Sequence, residues 1–163
     1  MGEIRKAQMC DLDEILKIYE NARRFMAENG NPNQWKNVHP PKASLIENIN
    51  EGKLYVISEQ TPVDAVFFCD SGPDPTYEYI EGVWLNDNPY YVLHRIASSG
   101  RVKGVVESCV DFALKFSNNI RIDTHADNKI MQKRLSSLGF IHCGTIYVEG
   151  YGPMLAYQLE KTK

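Results

Sequence analysis

The stretches LHRIASSGRVKGVV (residues 93–106) and IRIDTHADNKIMQKRLSSLGF (residues 120–140) decide how this chain folds. The first reads as a strand, a short basic loop carrying glycine, and the start of a helix. The second repeats that logic: a strand, Asn128 at a helix start, a helix, and Gly139 at its end. A helix start offers unpaired backbone N–H groups and the positive end of a dipole, which suit an anion such as a phosphate. Two such junctions side by side predict a phosphate-bearing ligand lying across them.

Upstream, EIRKA (3–7) alternates weakly and predicts a short strand. Asp11 and Glu14 have capping-box spacing, and Ile15, Ile18, Tyr19, Ala22, Phe25 and Met26 follow at helical spacing. ENGNPN (28–33) is turn chemistry. A polar loop with Trp35 and His39 follows, then Pro40 and Pro41, then a short helix over 44–50. KLYVISE (53–59) and VDAVFFCD (63–70) predict two strands, and the intervening QTP (60–62) is short enough for an antiparallel hairpin. Residues 71–90 are rich in Pro, Gly, Asp and aromatics; we expect a functional loop with one short strand in YEYI (77–80). The strand YVLHRIAS (91–98), a helix over 103–116, the strand NIRIDTH (119–125) and a helix over 128–138 come next. FIHCGTIYVE (140–149) and PMLAYQLEK (153–161) close the chain as two strands across GYG. No repeat or linker interrupts this order, so one domain over 1–163 of α/β or α+β type is expected.

Composition limits the function classes. A net charge of −3 at pH 7 argues against a nucleic-acid surface. No apolar run approaches the roughly 20 residues that span a bilayer, and the N-terminus lacks the apolar core of a secretory signal. No membrane partner is therefore expected. Cys10, Cys69, Cys109 and Cys143 lack zinc-ligand spacing, so no metal is expected, and a reduced cytoplasmic setting is the default. Cys109, among Val105, Val106 and Val110, reads as core.

On these residues the chain resembles the GNAT superfamily of acetyl-CoA-dependent N-acyltransferases. The family pattern Q/R-x-x-G-x-G/A after its fourth strand is similar to Arg101-Val102-Lys103-Gly104-Val105-Val106, with Val106 departing from the final small residue. Its second mark, an Asn after the fifth strand and a helix ending in a GF dipeptide, is similar to Asn128 and Gly139-Phe140. HRIAS (94–98) looks like the family's fourth strand, and the element order matches over nearly the whole chain. The resemblance implies a mixed, mostly antiparallel central sheet of about seven strands with flanking helices. Its parallel fourth and fifth strands would splay into a slot for the pantetheine arm. It also implies acetyl-CoA as acyl donor, with Arg95, Ile96 and Ala97 along the strand and Arg101, Val102, Lys103, Gly104, Val105 and Val106 at the diphosphate. Asn128, Lys129 and Gln132 would lie at the second junction.

Elementary chemistry agrees on several positions. Gly104 lets the backbone approach a diphosphate closely, and Arg101 and Lys103 carry screening charge, while Lys129 and Lys133 reach toward an adenosine end. Asn128 also suits a helix N-cap, and Gly139 a helix C-terminus. A neutral amine must form before it attacks a thioester, so a base is needed. His94, within its strand, and His125, at the carboxyl end of the next one, both offer an imidazole suited to that task, and the two stay open. Asp123 and Thr124 are adjacent in a strand, so at most one is expected to point into the cleft. Many family members carry a Tyr acid four residues before the glycine of the GF pair; here that residue is Leu135. Tyr147 or Tyr151 could replace it, or water could serve. Trp35, His39 and Tyr77, from the long aromatic loops, are the expected acceptor wall. The expected acceptor is a small-molecule or peptide amine, and the expected state a monomer or homodimer. A CoA-binding module without turnover is the alternative that Leu135 and Val106 favour.

Overall fold

Alternating apolar residues in the strands and 3.6-residue spacing in the helices produce a sheet covered on both faces, described in a computed structural model for residues 2–36, 38–59 and 62–162. In chain order the elements are β1 (Glu3–Lys6), α1 (Leu12–Glu28), α2 (Lys42–Asn50), β2 (Leu54–Ser58), β3 (Ala65–Ser71), β4 (Glu81–Gly82), β5 (Tyr91–Ser98), α3 (Val105–Ala113), β6 (Asn119–Thr124), α4 (Lys129–Ser137), β7 (Ile141–Val148) and β8 (Gly152–Glu160). Among the described residues the sheet has eight strands in the order β1-β2-β3-β5-β6-β8-β7-β4. The expected seven becomes eight because Glu81–Gly82 pairs with Gly144–Thr145 at the sheet edge. The strand expected in YEYI is absent: Pro75–Tyr77 forms a 3-10 turn instead, with the Asp74 carboxylate accepting the Thr76 N–H at 2.9 Å. Gln60 and Thr61 of the expected hairpin turn, and Asn37 of the polar loop, lie outside the described residues.

Leu12, Ile15, Ile18 and Tyr19 of α1 and Leu45 and Ile49 of α2 pack with Val56 and Val66 on one face. On the other, Val105, Cys109 and Val110 of α3 and Leu135 of α4 pack with Ile57, Phe67 and Leu93. The neighbours Val66 and Phe67 thus face opposite layers, as strand alternation requires. Asp11 does not cap α1 with its side chain. Its carboxylate instead accepts the Gln8 N–H at 2.8 Å and both Arg5 terminal nitrogens, at 2.8 and 2.9 Å. The α3 helix ends at Ala113, three residues short of the expectation. No helix among the described residues is long and apolar enough to cross a membrane.

All sheet neighbours are antiparallel except β5 and β6. Those two pair only at Tyr91–Ile120 and Val92–Arg121. Beyond Val92, β5 stays with β3 and β6 stays with β8, so a slot opens between them. The expected splay is present.

Candidate active site

β5 carries a defect beside the slot. Its pairing with β3 passes from Phe68–His94 to Val66–Ala97, so Arg95 and Ile96 together face the single residue Phe67. That is a β-bulge, and Arg95 adopts a φ of +58°. A left-handed non-glycine residue is strained and persists only where its surroundings hold it. The Tyr19 hydroxyl fixes it by donating to the Arg95 carbonyl at 2.7 Å. Neither Arg95 nor Ile96 has a register partner on β3 or β6.

Two cavities meet at the slot, sharing Met26, Ile96, Asn128 and Met131. The larger, of about 720 Å³, runs over the loop after β5 and the starts of α3 and α4. Ile96, Ala97, Val102, Lys103, Gly104, Val105, Val106, Asn128 and Lys129, all expected at the acyl donor, line it together. Gly104 supplies a φ of +72° at the α3 start, and no side chain caps that helix. The helix start thus lies on the cavity with no N-cap side chain over it, while the Glu107 carboxylate in the first turn takes its own backbone N–H; a helix start of this kind suits a diphosphate. The Val106 side chain tucks partly against the core, so it does not close the junction. Asn128 caps α4, accepting the Met131 N–H at 3.1 Å, and its amide donates to Gln34 Oε1 at 3.1 Å.

Three expected donor-binding residues are directed elsewhere. The Arg101 guanidinium turns to the β2–β3 connection, donating to the Val63 carbonyl at 2.6 Å and to Asp64 at 3.3 Å. Gln132 donates to the Ala126 carbonyl at 2.8 Å and braces its own turn. Arg95 lines the smaller cavity, not the larger. Arg134, an unremarkable helix cation in the sequence, lines the larger one and pairs with Glu107 at 2.8 Å.

The smaller cavity, of about 350 Å³, is lined by His39, Asp74, His94, Arg95 and Asp123 among others. His94 lies in its wall, with Nε2 2.8 Å from Asp74 Oδ2. An ionised carboxylate only accepts, so the ring N–H donates. Burial pushes the Asp74 carboxyl up, but the His94 bond and charge and the Thr76 contacts outweigh it and hold it down at about 2. His94 Nδ1 stands 3.6 Å from Asp123 Oδ1, beyond a good hydrogen bond. The buried Tyr77 hydroxyl donates to that Asp123 oxygen at 2.6 Å. Burial, then the Asp123 charge, raises the Tyr77 phenol well above its ordinary value, so it stays a donor.

Trp35 and His39 line this cavity as expected. Trp35 is also a core residue, edge-on to Tyr19 at 5.7 Å between ring centres. His39 stands 5.2 Å from the Tyr151 ring. Burial, then the charges of Arg95, His94 and Arg23, pushes the His39 imidazole down to about 4. Tyr77 is not in the lining; its ring stands behind, beside His94. Asp123 and Thr124 both contribute to the lining, against the expectation of one, because the slot opens along the end of β6.

His125 and Tyr147 line neither cavity. His125 Nδ1 accepts the Asp127 N–H at 3.0 Å, which closes the turn before α4. The exposed Tyr147 hydroxyl donates to Glu81 Oε1 at 2.8 Å on the β4 edge. Sequence reasoning missed Asp74 and Asn48. Asp74 lies in the loop over 71–90 that the composition marked as functional, but its partner is twenty positions away and nothing local singles it out. Asn48 sits on the short helix over 44–50 with no motif around it.

No family model and no curated protein matches the sequence. Solved structures do. A GNAT-family acetyltransferase from Streptococcus agalactiae is 32% identical, with a TM-score of 0.87 over 99% of this chain and 96% of that one. One from Listeria monocytogenes is 19% identical, with a TM-score of 0.70 over 98% and 94%. At 12% identity, a chain of the NatC complex bound to Gag peptide and CoA shares the fold, with a TM-score of 0.65 over 99% and 100%.

Proposed function

The chain belongs to the GNAT family of acetyltransferases, and from that we propose that it transfers an acetyl group from acetyl-CoA to a primary amine of a small molecule or peptide. One observation carries the reading: two cavities meet at Ile96 and Asn128, one ending on the uncapped α3 start and the other on His94. The modest size of the second cavity favours a small acceptor or the end of a peptide.

Acetyl-CoA, when bound, supplies the acyl group as a thioester. The α3 start with Gly104, and Lys103, Lys129 and Asn128 around the larger cavity, are the residues that would hold it. Asp74 fixes the His94 ring by accepting its Nε2 proton, which leaves Nδ1 to receive a proton from the amine. A C–N bond then forms as the C–S bond breaks. The amine proton goes to His94, and CoA leaves as its thiolate or thiol. A backbone N–H of the Arg95–Ile96 bulge, whose residues have no register partner on the neighbouring strands, would face the oxygen that gains charge. Leu135, fully buried, has no proton to give, so the leaving sulfur relies on water or Tyr151.

The test combines thermal melting with thiol release. Acetyl-CoA at 100 times its Kd should add about 2.7 kcal/mol of stability, and an amine panel should reveal turnover. An unchanged melting temperature at saturating acetyl-CoA removes the proposal. Binding without thiol release from any amine would favour the rival reading, a CoA-binding module, which Leu135 supports.

A further inference from the structure

Arg95 is the cation in the smaller cavity that the chemistry above leaves unused. Its side chain donates to Asn48 Oδ1 at 2.7 Å, and no carboxylate among the described residues pairs with it. Glu47 acts on it only at a distance. The contrast with the other arginines is informative. Arg5, Arg24, Arg101 and Arg134 have Asp11, Glu20, Asp64 and Glu107. Arg23 donates to the His39 carbonyl at 3.3 Å and, like Arg95, has no carboxylate partner among the described residues, but it lines neither cavity. Arg121 is stacked between the Trp84 and Tyr90 rings at 4.1 and 4.0 Å. A guanidinium stays charged wherever it sits. Burying it without a counter-charge costs free energy, which a bound anion offsets.

The bulge explains how the charge reaches this cavity. In a regular strand His94 and Arg95 would face opposite sides. The left-handed backbone at Arg95 lets both residues line one cavity. The same cavity holds the carboxylates Asp74 and Asp123 beside His94. It is therefore bipolar: an acidic side suited to an incoming ammonium, and a cationic side suited to a carboxylate. His39 does not add to the cationic side, because its imidazole is neutral above about pH 4. Trp35, Phe68 and Tyr151 offer apolar surface in the same lining.

We propose that the acceptor is an amino acid or amino-acid-like molecule, with Arg95 and Asn48 binding its carboxylate while its amine meets His94. This rests on the acetyl-transfer reading of the same cavity. It assigns Arg95 to acceptor specificity, and not to the acyl donor. A guanidinium recognises a carboxylate through paired N–H donors, so Arg95→Lys should retain only part of the selectivity.

The experiment uses the purified protein, acetyl-CoA and the twenty protein amino acids, each beside its carboxamide. Thiol release should give kcat/KM at least tenfold higher for the free acid of the best pair, mostly through KM. Arg95→Gln and Asn48→Ala should shrink that ratio toward one while leaving the KM for acetyl-CoA in place. Calorimetry with the N-acetyl amino acid and its amide on CoA-loaded protein gives the same comparison without turnover. Equal acid and amide in the wild type, or an Arg95→Gln loss shared equally by both, overturns the proposal. So does acetyl-CoA binding with no amino acid accepted, which leaves acetyl transfer itself standing. No thermal shift with acetyl-CoA overturns both.

Discussion

His94 and His125 are alike in the sequence and differ in what holds them. His94 has a carboxylate at 2.8 Å and a cavity in front of it, whereas His125 spends its Nδ1 on a turn. His94→Ala should therefore lower kcat by about 10²–10⁴ and remove the acidic limb of the pH–rate profile. His125→Ala should retain both. Asp74→Asn should lower kcat within that range and leave the KM for acetyl-CoA unchanged, because Asp74 orients the ring and touches no donor. Equal kcat losses in the His94 and His125 variants would break the assignment.

At the scale of elements, two helices show what the sheet demands of them. The α3 helix begins on Gly104 with φ of +72°. A Cβ there costs roughly 1–2 kcal/mol, so Gly104→Ala should weaken acetyl-CoA binding and lower the melting temperature of the free protein. Gly104→Asp should also abolish the thermal shift with acetyl-CoA, because its carboxylate repels a diphosphate. A normal shift in the Asp variant would detach the donor from this loop. The α4 helix buries Leu135 completely against the α3 layer. Leu135→Tyr, which restores the family's usual residue, must find room in a filled core. We expect about 1–3 kcal/mol of destabilisation and no gain in kcat, checked by denaturant melts beside thiol release. A faster, equally stable variant would show that α4 has slack toward the cavity.

For the whole molecule, the polar wall of the smaller cavity links stability to pH. His39 titrates near 6.5 when unfolded and near 4 when folded. The unfolded chain thus takes up this proton first as pH falls. The contribution of neutral His39 is complete above about pH 6.5 and is lost progressively toward pH 4. Allowing for solvent screening, it is on the order of 1–2 kcal/mol. His39→Gln should flatten the fall in melting temperature across that window. Asp74 acts lower: its carboxyl is depressed from 3.8 to about 2, so its share is present above about pH 4 and lost toward pH 2. The two windows are separable in one pH series, and a His39→Gln curve parallel to the wild type would refute the first.

What the sequence determined is whatever a few neighbouring residues can encode. The helical spacing of Ile15, Ile18 and Tyr19, the alternation in the strands, the glycine before α3 and the Asn before α4 are each written within one element or its cap. That was enough for most of the element order and for the residues of the two strand-to-helix junctions, while the splay of the parallel pair came from the family resemblance. Tertiary structure decided the rest. The partnership of Asp74 with His94, the diversion of Arg101 to Asp64, the two-residue strand β4 and the turn of Arg95 into the smaller cavity span separations of 20 and more residues or hang on one bulge. A strand's register and its single extra residue choose which side chains meet. No local propensity carries that information, because it arises only when distant segments share one sheet.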